Sequence, residues 1–472
     1  MAATDLPFLS LTDLRRLYQQ RALSPVEVTR ACLEQIERLN PTLNALLTVT
    51  AEMALASARA AEERWGRGEP VPPLLGVPMT LKDLIDTAGV RTTYGSALTE
   101  RHVPTTDATV VHRLKSAGAV LLGKAALHEW AFGVTNDNPH FGPTRNPWDP
   151  TRIPGGSSGG SATALAAGMG AGSVGTDTGG SIRIPAALCG VVGLKPTFGR
   201  ISRAGVYPLA WSLDHVGPMA RTVADVALLL EVMAGPDPAD PATVGLPPLA
   251  RPALETAGDL QGLRLGRPEG APWDDVEPAV AAAFAQALRT LTDLGATVQP
   301  VSLPDADLIA ATNPLIIMAE AATVHWDRLR ADPDAYGPDV RTRLEAGATI
   351  LAADYLRAQQ ARRRLIAAMR ALFTTVDLLV LPTTPAAAPP IGAREIALPS
   401  GPVETRLALT RFTNLFNLTG LPALSVPAGF TPDGRPVGLQ IVGPADSEAV
   451  VLRVGHLYSQ ATPWSGRRPP LA

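Results

Sequence analysis

Apolar positions change their period along the chain, and the changes mark out its elements. Over the first 70 residues the spacing is helical: Val28, Cys32, Ile36 and Leu39 share one face, and an alanine-rich helix is predicted from about Ala51 to Trp65. Ser10-Leu11-Thr12-Asp13 and Ser24-Pro25-Val26-Glu27 are capping-box patterns, so each predicts a helix start, and Asn40-Pro41 predicts the end of the second helix. From Leu75 the period shortens. The apolar run Leu75 to Leu81, broken by turn formers, predicts a strand with Lys82 at its end. A helix over Val110–Ala117, a strand over Ala119–Gly123, a small-residue helix over Ala162–Ala167, a strand over Ser173–Thr176 and a helix over Arg221–Ala234 follow. Such alternation is the mark of an α/β fold.

Pro236 to Pro252 has no period and is rich in proline, aspartate and alanine, which predicts a linker. A smaller βαβ pattern comes next: a strand at Leu263–Leu265, a helix lined by Val280, Phe284, Leu288, Leu291 and Leu294, and a strand at Thr297–Val301. Helices from about Ala319 to Phe373, a strand at Leu378–Leu381 and a long loop from Pro382 to Pro402 precede strands at Ala423–Val426 and Val437–Val442 and a closing helix over Ser447–Gln460. These patterns divide a single domain into a helical cover (1–70), a core (71–235), a variable α/β and helical insertion (236–376) and a return to the core sheet (377–472).

Composition narrows the function classes. With 18 % charged residues and a net charge of −3 the chain has no basic field to draw in nucleic acid or an anionic membrane, so neither is expected as a partner. Cys32 and Cys189 are the only cysteines, too few for a disulfide framework and suited to a reducing compartment. Met1–Ser10 lacks a basic region followed by an apolar run, and runs such as Val226–Leu230 fall far short of the roughly 20 residues that span a bilayer, so a cytoplasmic location is expected. No cluster of His, Cys, Asp or Glu has ligand spacing, and neither metal nor cofactor is expected.

Glycine concentrates the chemistry: 14 of the 42 glycines fall between Gly155 and Gly205. Three readings compete there. Gly170-Ala171-Gly172-Ser173-Val174-Gly175 fits a dinucleotide pattern but follows a helix and enters a strand, the reverse of what that site needs. Gly156-Ser157-Ser158-Gly159-Gly160 fits the nucleophile elbow of an α/β-hydrolase esterase, with Ser158 attacking; that reading needs an acid and a later histidine, and only His215, His325 and His456 follow. The third joins Lys82, Ser157 and Ser181. A serine hydroxyl needs a base, a desolvated lysine can serve, and the N–H groups of Thr178-Gly179-Gly180-Ser181 before a short helix could converge on an oxyanion.

The joint pattern closely resembles the amidase signature family, marked by Gly-Gly-Ser-Ser-Gly-Gly, then Gly-Thr-Asp-Thr-Gly-Gly-Ser, with an upstream lysine in Lys-Asp. The spacings agree, with 75 residues from Lys82 to Ser157 and 24 from Ser157 to Ser181. Similarity continues through Ser24-Pro25-Val26-Glu27, Asn146-Pro147-Trp148-Asp149-Pro150, Leu194-Lys195-Pro196-Thr197, Asp214-His215-Val216-Gly217-Pro218 and Gly420-Leu421-Pro422, nearly the whole chain. The resemblance implies a large central mixed β-sheet flanked by helices on both faces. By position it makes Ser181 the nucleophile and Ser157, after a cis peptide bond from Gly156, the relay to neutral Lys82; Thr178, Gly179, Gly180 and Ser181 form the oxyanion hole. Ser158, Thr176, Asp177 and Arg183 match residues that hydrogen-bond the triad, and Phe132 matches one lining the acyl pocket. Trp130 and Trp211 are further aromatic candidates for substrate binding. Taken singly, Lys82 and Arg183 read as surface cations, Asp177 as a turn former, the serines as loop residues and the aromatics as core. The joint spacing overturns these readings for the triad alone.

Two functions share this core, and a non-catalytic binding protein on the same fold is a third. One is a stand-alone amidase cleaving small amides, with esters, anilides or carbamates possible; the other is the glutaminase subunit of a tRNA-dependent amidotransferase. Glutamine-using relatives place an aspartate shortly before Gly-Leu-Pro to hold the substrate ammonium. Arg406–Pro422 contains no acid and carries Thr410, Arg411, Phe412 and Phe416, which favours a neutral or aromatic substrate. Ala210-Trp211-Ser212-Leu213-Asp214 also departs from the small-residue version in those subunits. The expected enzyme is therefore free-standing, a monomer or homodimer whose partners are a small amide and water.

Overall fold

The computed structural model describes residues 3–67, 70–250, 252, 254 and 258–471. Residues 1, 2, 68 and 69 of the expected helical cover, residue 251 of the expected linker and the last residue of the chain lie outside the described residues. Both capping patterns open helices. Ser10 Oγ accepts from the Asp13 N–H at the start of Leu11–Gln19, and Ser24 and Glu27 form a reciprocal box at the start of Pro25–Leu43. Asn40-Pro41 does not end the second helix. The helix runs on to Leu43 and stops at Asn44, whose φ is 49°. The Asn40 side chain accepts from the N–H groups of Ala45 and Leu46 and so steers the chain into β1 (Leu46–Val49), a strand the pattern did not predict.

The other strands are β2 (Pro78–Lys82), β3 (Val120–Ala125), β4 (Gly172–Asp177), β5 (Val192–Lys195), β6 (His215–Ala220), β7 (Arg264–Pro268), β8 (Thr297–Val301), β9 (Leu378–Pro382), β10 (Glu395–Leu398), β11 (Gly401–Glu404), β12 (Ala423–Phe430) and β13 (Pro436–Val442). Eleven of them make one mixed sheet in the order β1-β3-β2-β4-β6-β5-β12-β13-β9-β7-β8, with helices on both faces. β2 runs parallel to β3 and to β4, and Leu81 stands level with Val174. Lys82 and the Thr176–Asp177 end of β4 therefore emerge side by side at one sheet edge. Every residue of β2 and β4 is buried, as expected for strands covered on both faces.

Residues 236–376 extend the same sheet through β7 and β8 and then build a roof. Helices Ala306–Val324, Pro338–Ala348 and Ala352–Leu372 pack together there. Ala306–Val324 is long and apolar enough to cross a membrane by length and composition, longer than the apolar runs singled out in the sequence, but it forms one wall of the candidate site. The expected linker is pinned at its start: Asp237 accepts from Thr109 and Ser202, and Asp240 pairs with Arg203 at 2.7 Å. The expected loop Pro382–Pro402 folds its second half into the hairpin β10–β11.

Candidate active site

At the last position of an all-buried strand, Lys82 has no water to reach. Its Nζ donates to Ser157 Oγ and to Thr176 Oγ1, each at 2.8 Å. Burial lowers its pKa from 10.5 to about 7, while Asp177 and Asp214 pull the other way. Near neutral pH an appreciable fraction of Lys82 is thus uncharged. Ser157 follows a cis peptide bond from Gly156, and a Cβ on Gly156 would stand 3.0 Å from Asn136 N, so the first motif is pressed against the chain beside it.

Ser158 faces the other way. Its Oγ donates to Thr176 O at 3.1 Å and accepts from Thr176 N–H at 3.2 Å, which ties the first motif to the second. A hydroxyl occupied twice by main chain is not an attacking group. The downstream histidines are elsewhere: His215 Nδ1 faces Leu213 O, His325 Nδ1 faces the Tyr336 hydroxyl, and His456 lies on the helix Glu448–Gln460. The geometry leaves the esterase reading without a base.

Asp177 organises the loop that carries Ser181. One carboxylate oxygen accepts from Gly180 N–H at 2.8 Å and the other from Ile182 N–H at 3.1 Å, while Arg183 and Asn417 close on both sides. Burial would raise its pKa, but the Arg183 guanidinium more than offsets this and holds the carboxyl well below the usual range. Arg183 in turn donates to Thr413 O, Gln440 Oε1 and Asn417 Oδ1, so its charge is fully partnered. Gly180 has φ of +129°, and a Cβ there would strike Thr413, whose Oγ1 donates to Gly179 O at 2.6 Å. The Gly180 N–H is committed to Asp177. That leaves Thr178, Gly179 and Ser181 as the members of the expected oxyanion hole whose N–H groups carry no hydrogen bond among the described residues.

Ser181 opens onto a narrow pocket with Phe132, Gly179, Asn313, Ile317, Arg343, Arg406, Thr410 and Asn414 on its walls. Of the aromatic candidates only Phe132 lines it. Trp130 is buried in a cluster with Tyr94, Tyr207, His325 and Tyr336, and Trp211 is 44 % exposed beside a second cavity of about 230 Å³. That second cavity adjoins the other side of the nucleophile loop, where Thr176, Thr178 and Asp214 face it. Phe412 and Phe416, read as favouring an aromatic substrate, are core residues. Arg411 is spent on Asp275 at 2.8 Å. The residues that sequence reasoning missed are Asn313, Asn414, Arg343 and Arg406. Arg406 opens the segment Arg406–Pro422, and its positive charge is the available signal.

A sequence model of the family described as Amidase matches residues 27–452, close to the whole chain. The chain belongs to the amidase signature family. Its C–N hydrolase chemistry and mixed-sheet fold accord with that membership. The glutamyl-tRNA(Gln) amidotransferase A-subunit of Chloroflexus aurantiacus is 43 % identical to it over 99 % of both chains. The crystal structure of the Thermotoga maritima protein of the same name is 35 % identical, with a TM-score of 0.81 over 97 % of this chain and 96 % of that one. A structure described as a vestigial protein complex that reveals the evolutionary origins of an s-triazine catabolic enzyme contains a chain 39 % identical, with a TM-score of 0.91 over 96 % of this chain and 98 % of that one.

These likenesses overturn the expectation of a free-standing amidase for neutral or aromatic amides, with a small molecule as its only partner and no nucleic acid. Relatives that match it over the full length at 41 to 43 % identity are amidotransferase A-subunits. The physical reasons are two. Net charge describes this chain alone, whereas one member of a complex can leave RNA contact to another chain. The segment Arg406–Pro422 is only part of the pocket wall, and the folded pocket also draws Arg343 from a distant helix.

Proposed function

We propose that the protein is the amide-cleaving subunit of a tRNA-dependent amidotransferase, releasing ammonia from a donor carboxamide such as glutamine for transfer by partner subunits. The observation that carries this reading is full-length similarity to amidotransferase A-subunits together with the Lys82–Ser157 pair, next to which the Ser158 N–H donates to Ser181 O at 3.2 Å. Such a chain works in the cytoplasm with charged tRNA. Ser181 Oγ attacks the amide carbonyl as its proton passes to Ser157, whose own proton goes to neutral Lys82 Nζ. The N–H groups of Gly179 and Ser181, with Thr178 beside them, hold the oxyanion. The C–N bond breaks as the proton returns through Ser157 to the leaving nitrogen, and water then attacks the ester by the same relay to free the acid.

The test is to assay the full chain, alone and with the other amidotransferase subunits of its genome, for ammonia release from glutamine and for conversion of glutamyl-tRNA(Gln) to glutaminyl-tRNA(Gln), with Ser181→Ala in parallel. Transamidation that depends on Ser181 supports the proposal. A chain that neither joins those subunits nor supports transamidation refutes it.

A further inference from the structure

The pair Asp214-His215 takes no part in the proton relay, yet it closes on the loop that carries Ser181. His215 opens β6 and stands level with Asp177, the last residue of β4. Its ring is buried, with Nδ1 2.6 Å from Leu213 O and 3.2 Å from Asp177 O, and Nε2 3.2 Å from Lys195 Nζ. Carbonyl oxygens only accept, so Nδ1 carries a proton, and the two carbonyls share it. Burial, with Lys195 beside it, holds the ring pKa well below the usual histidine range, so the ring is neutral and Nε2 is bare. Nε2 therefore accepts from Lys195 Nζ, which also donates to Pro196 O at 3.1 Å. Phe198 packs edge to face against the imidazole, with ring centres 5.4 Å apart, and keeps it from swinging away.

The Asp177 carbonyl and the Thr178 N–H belong to one trans peptide unit and point in opposite directions. Whatever grips the carbonyl aims the N–H. Asp177 O accepts from His215 Nδ1 and, at 3.0 Å, from Asn417 Nδ2. On the other side of the same unit Thr178 Oγ1 donates to Asp214 Oδ1 at 2.7 Å, and Asp214 is itself fixed by the N–H groups of Leu209 and Ala210. The shorter contact, to Leu213 O, steadies the turn that presents Asp214. This leaves the Thr178 N–H without a hydrogen bond among the described residues. Hydrogen bonds to a peptide carbonyl polarise the whole unit, so the opposite N–H also becomes a stronger donor.

We infer that His215 is a positioning residue of the oxyanion hole: its Nδ1–H holds the Asp177 carbonyl while Asp214 holds the Thr178 hydroxyl, and together they aim the Thr178 N–H at the oxygen that gains charge when Ser181 attacks. Lys195 keeps the ring in the tautomer this requires. The inference rests on the proposed reaction only in taking Ser181 as the attacking group; it does not depend on the donor amide or on partner subunits.

Two measurements decide it. Kinetics come first, with ammonia release from glutamine followed for the full chain and its partner subunits. His215→Phe should lower kcat by about 10- to 100-fold with KM little changed, since one oxyanion donor is misdirected and not removed. His215→Asn, whose side-chain N–H falls where Nδ1–H was, should recover most of that loss. Methanesulfonyl fluoride serves as a second probe of the same variants: its sulfonyl oxygens call on the same donors as Ser181 displaces fluoride, and the natural substrate need not be known. Parent chain that reacts with the fluoride but leaves glutamine intact would count against the proposed reaction, and the clamp would then be judged on the order of modification rates. Equal losses in the Phe and Asn variants would make the ring a packing element only and overturn the inference, as would a loss carried by KM. The second measurement needs no turnover. Nitrogen NMR of the full chain labelled at histidine, with His215→Asn identifying the signal, should show His215 as the neutral Nδ1–H tautomer near neutral pH; an Nε2–H tautomer or a charged ring would overturn the clamp.

Discussion

The core around Lys82, Ser157 and Ser181 and the roof over it contribute to one pocket under different constraints. In the core, β2 and β4 bring their ends together by parallel pairing, and Ser157, Ser158, Thr176, Asp177 and Ser181 fall within 25 residues of one another. Their geometry is local and cross-braced, so motif and spacing reveal it. Asn313 and Arg343 come from two roof helices and Arg406 from the short helix Thr405–Thr410, spread over 94 residues with no spacing rule among them. Chemistry here is written in a motif, whereas selectivity is written in packing.

That contrast can be broken experimentally. The largest effect belongs to the core: Ser181→Ala should lower kcat by about 10⁴-fold or more, measured as ammonia release, because the relay is left without a nucleophile. Next is the brace. Arg183→Met strands the Asp177 carboxylate in the interior and should destabilise the protein by about 3 to 5 kcal/mol, read from denaturant unfolding, with activity lost alongside. If Arg183→Met kept full stability, the loop would not depend on this pair.

The third test is pH. Only neutral Lys82 can accept a proton, so kcat/KM should rise as pH increases through about 7 and level off above it. Stability shares that sign. The folded pKa lies below the unfolded value of 10.5, so the unfolded chain binds the extra proton between about 7 and 10.5 and this group's contribution to stability increases with pH over that window. A Lys82→Met variant should lose both dependences. A flat rate profile from pH 6 to 9 in the parent enzyme would reject lysine as the base.

Smaller effects are expected elsewhere on the pocket wall and at the rim. Asn414→Ala should raise KM by roughly 10-fold with kcat little changed, as for removal of one polar contact to substrate, measured by steady-state kinetics. Trp211→Ala should shift stability by no more than about 0.5 kcal/mol, since the ring is half exposed and lies outside the acyl pocket.

Legibility followed the same division. The capping boxes at Ser10 and Ser24, the strand ending in Lys82 and the alternation up to Met233 could be read because short-range pattern determines them. β1, β5 and β6 were missed; each is only four to six residues long, and β6 holds proline and histidine, poor signals of a strand. Pro41 reads as a stop because proline lacks an N–H, yet the last turn tolerates it when Asn44 supplies the end. Neither Trp130 nor Trp211 lines the pocket in front of Ser181, since aromatic residues near a motif are as useful to the core as to a ligand.

The Asp177–Arg183 brace has a consequence for how the protein is made. Arg183 is held by Thr413, Asn417 and Gln440, between 230 and 257 residues further along, and Gly179 is fixed by Thr413 as well. The reactive loop is therefore translated well before the residues that set its shape. A nascent chain that already displays both glycine-serine motifs still lacks the grip that orients Ser181, so the loop takes its shape only once β13 and the segment before it have been delivered.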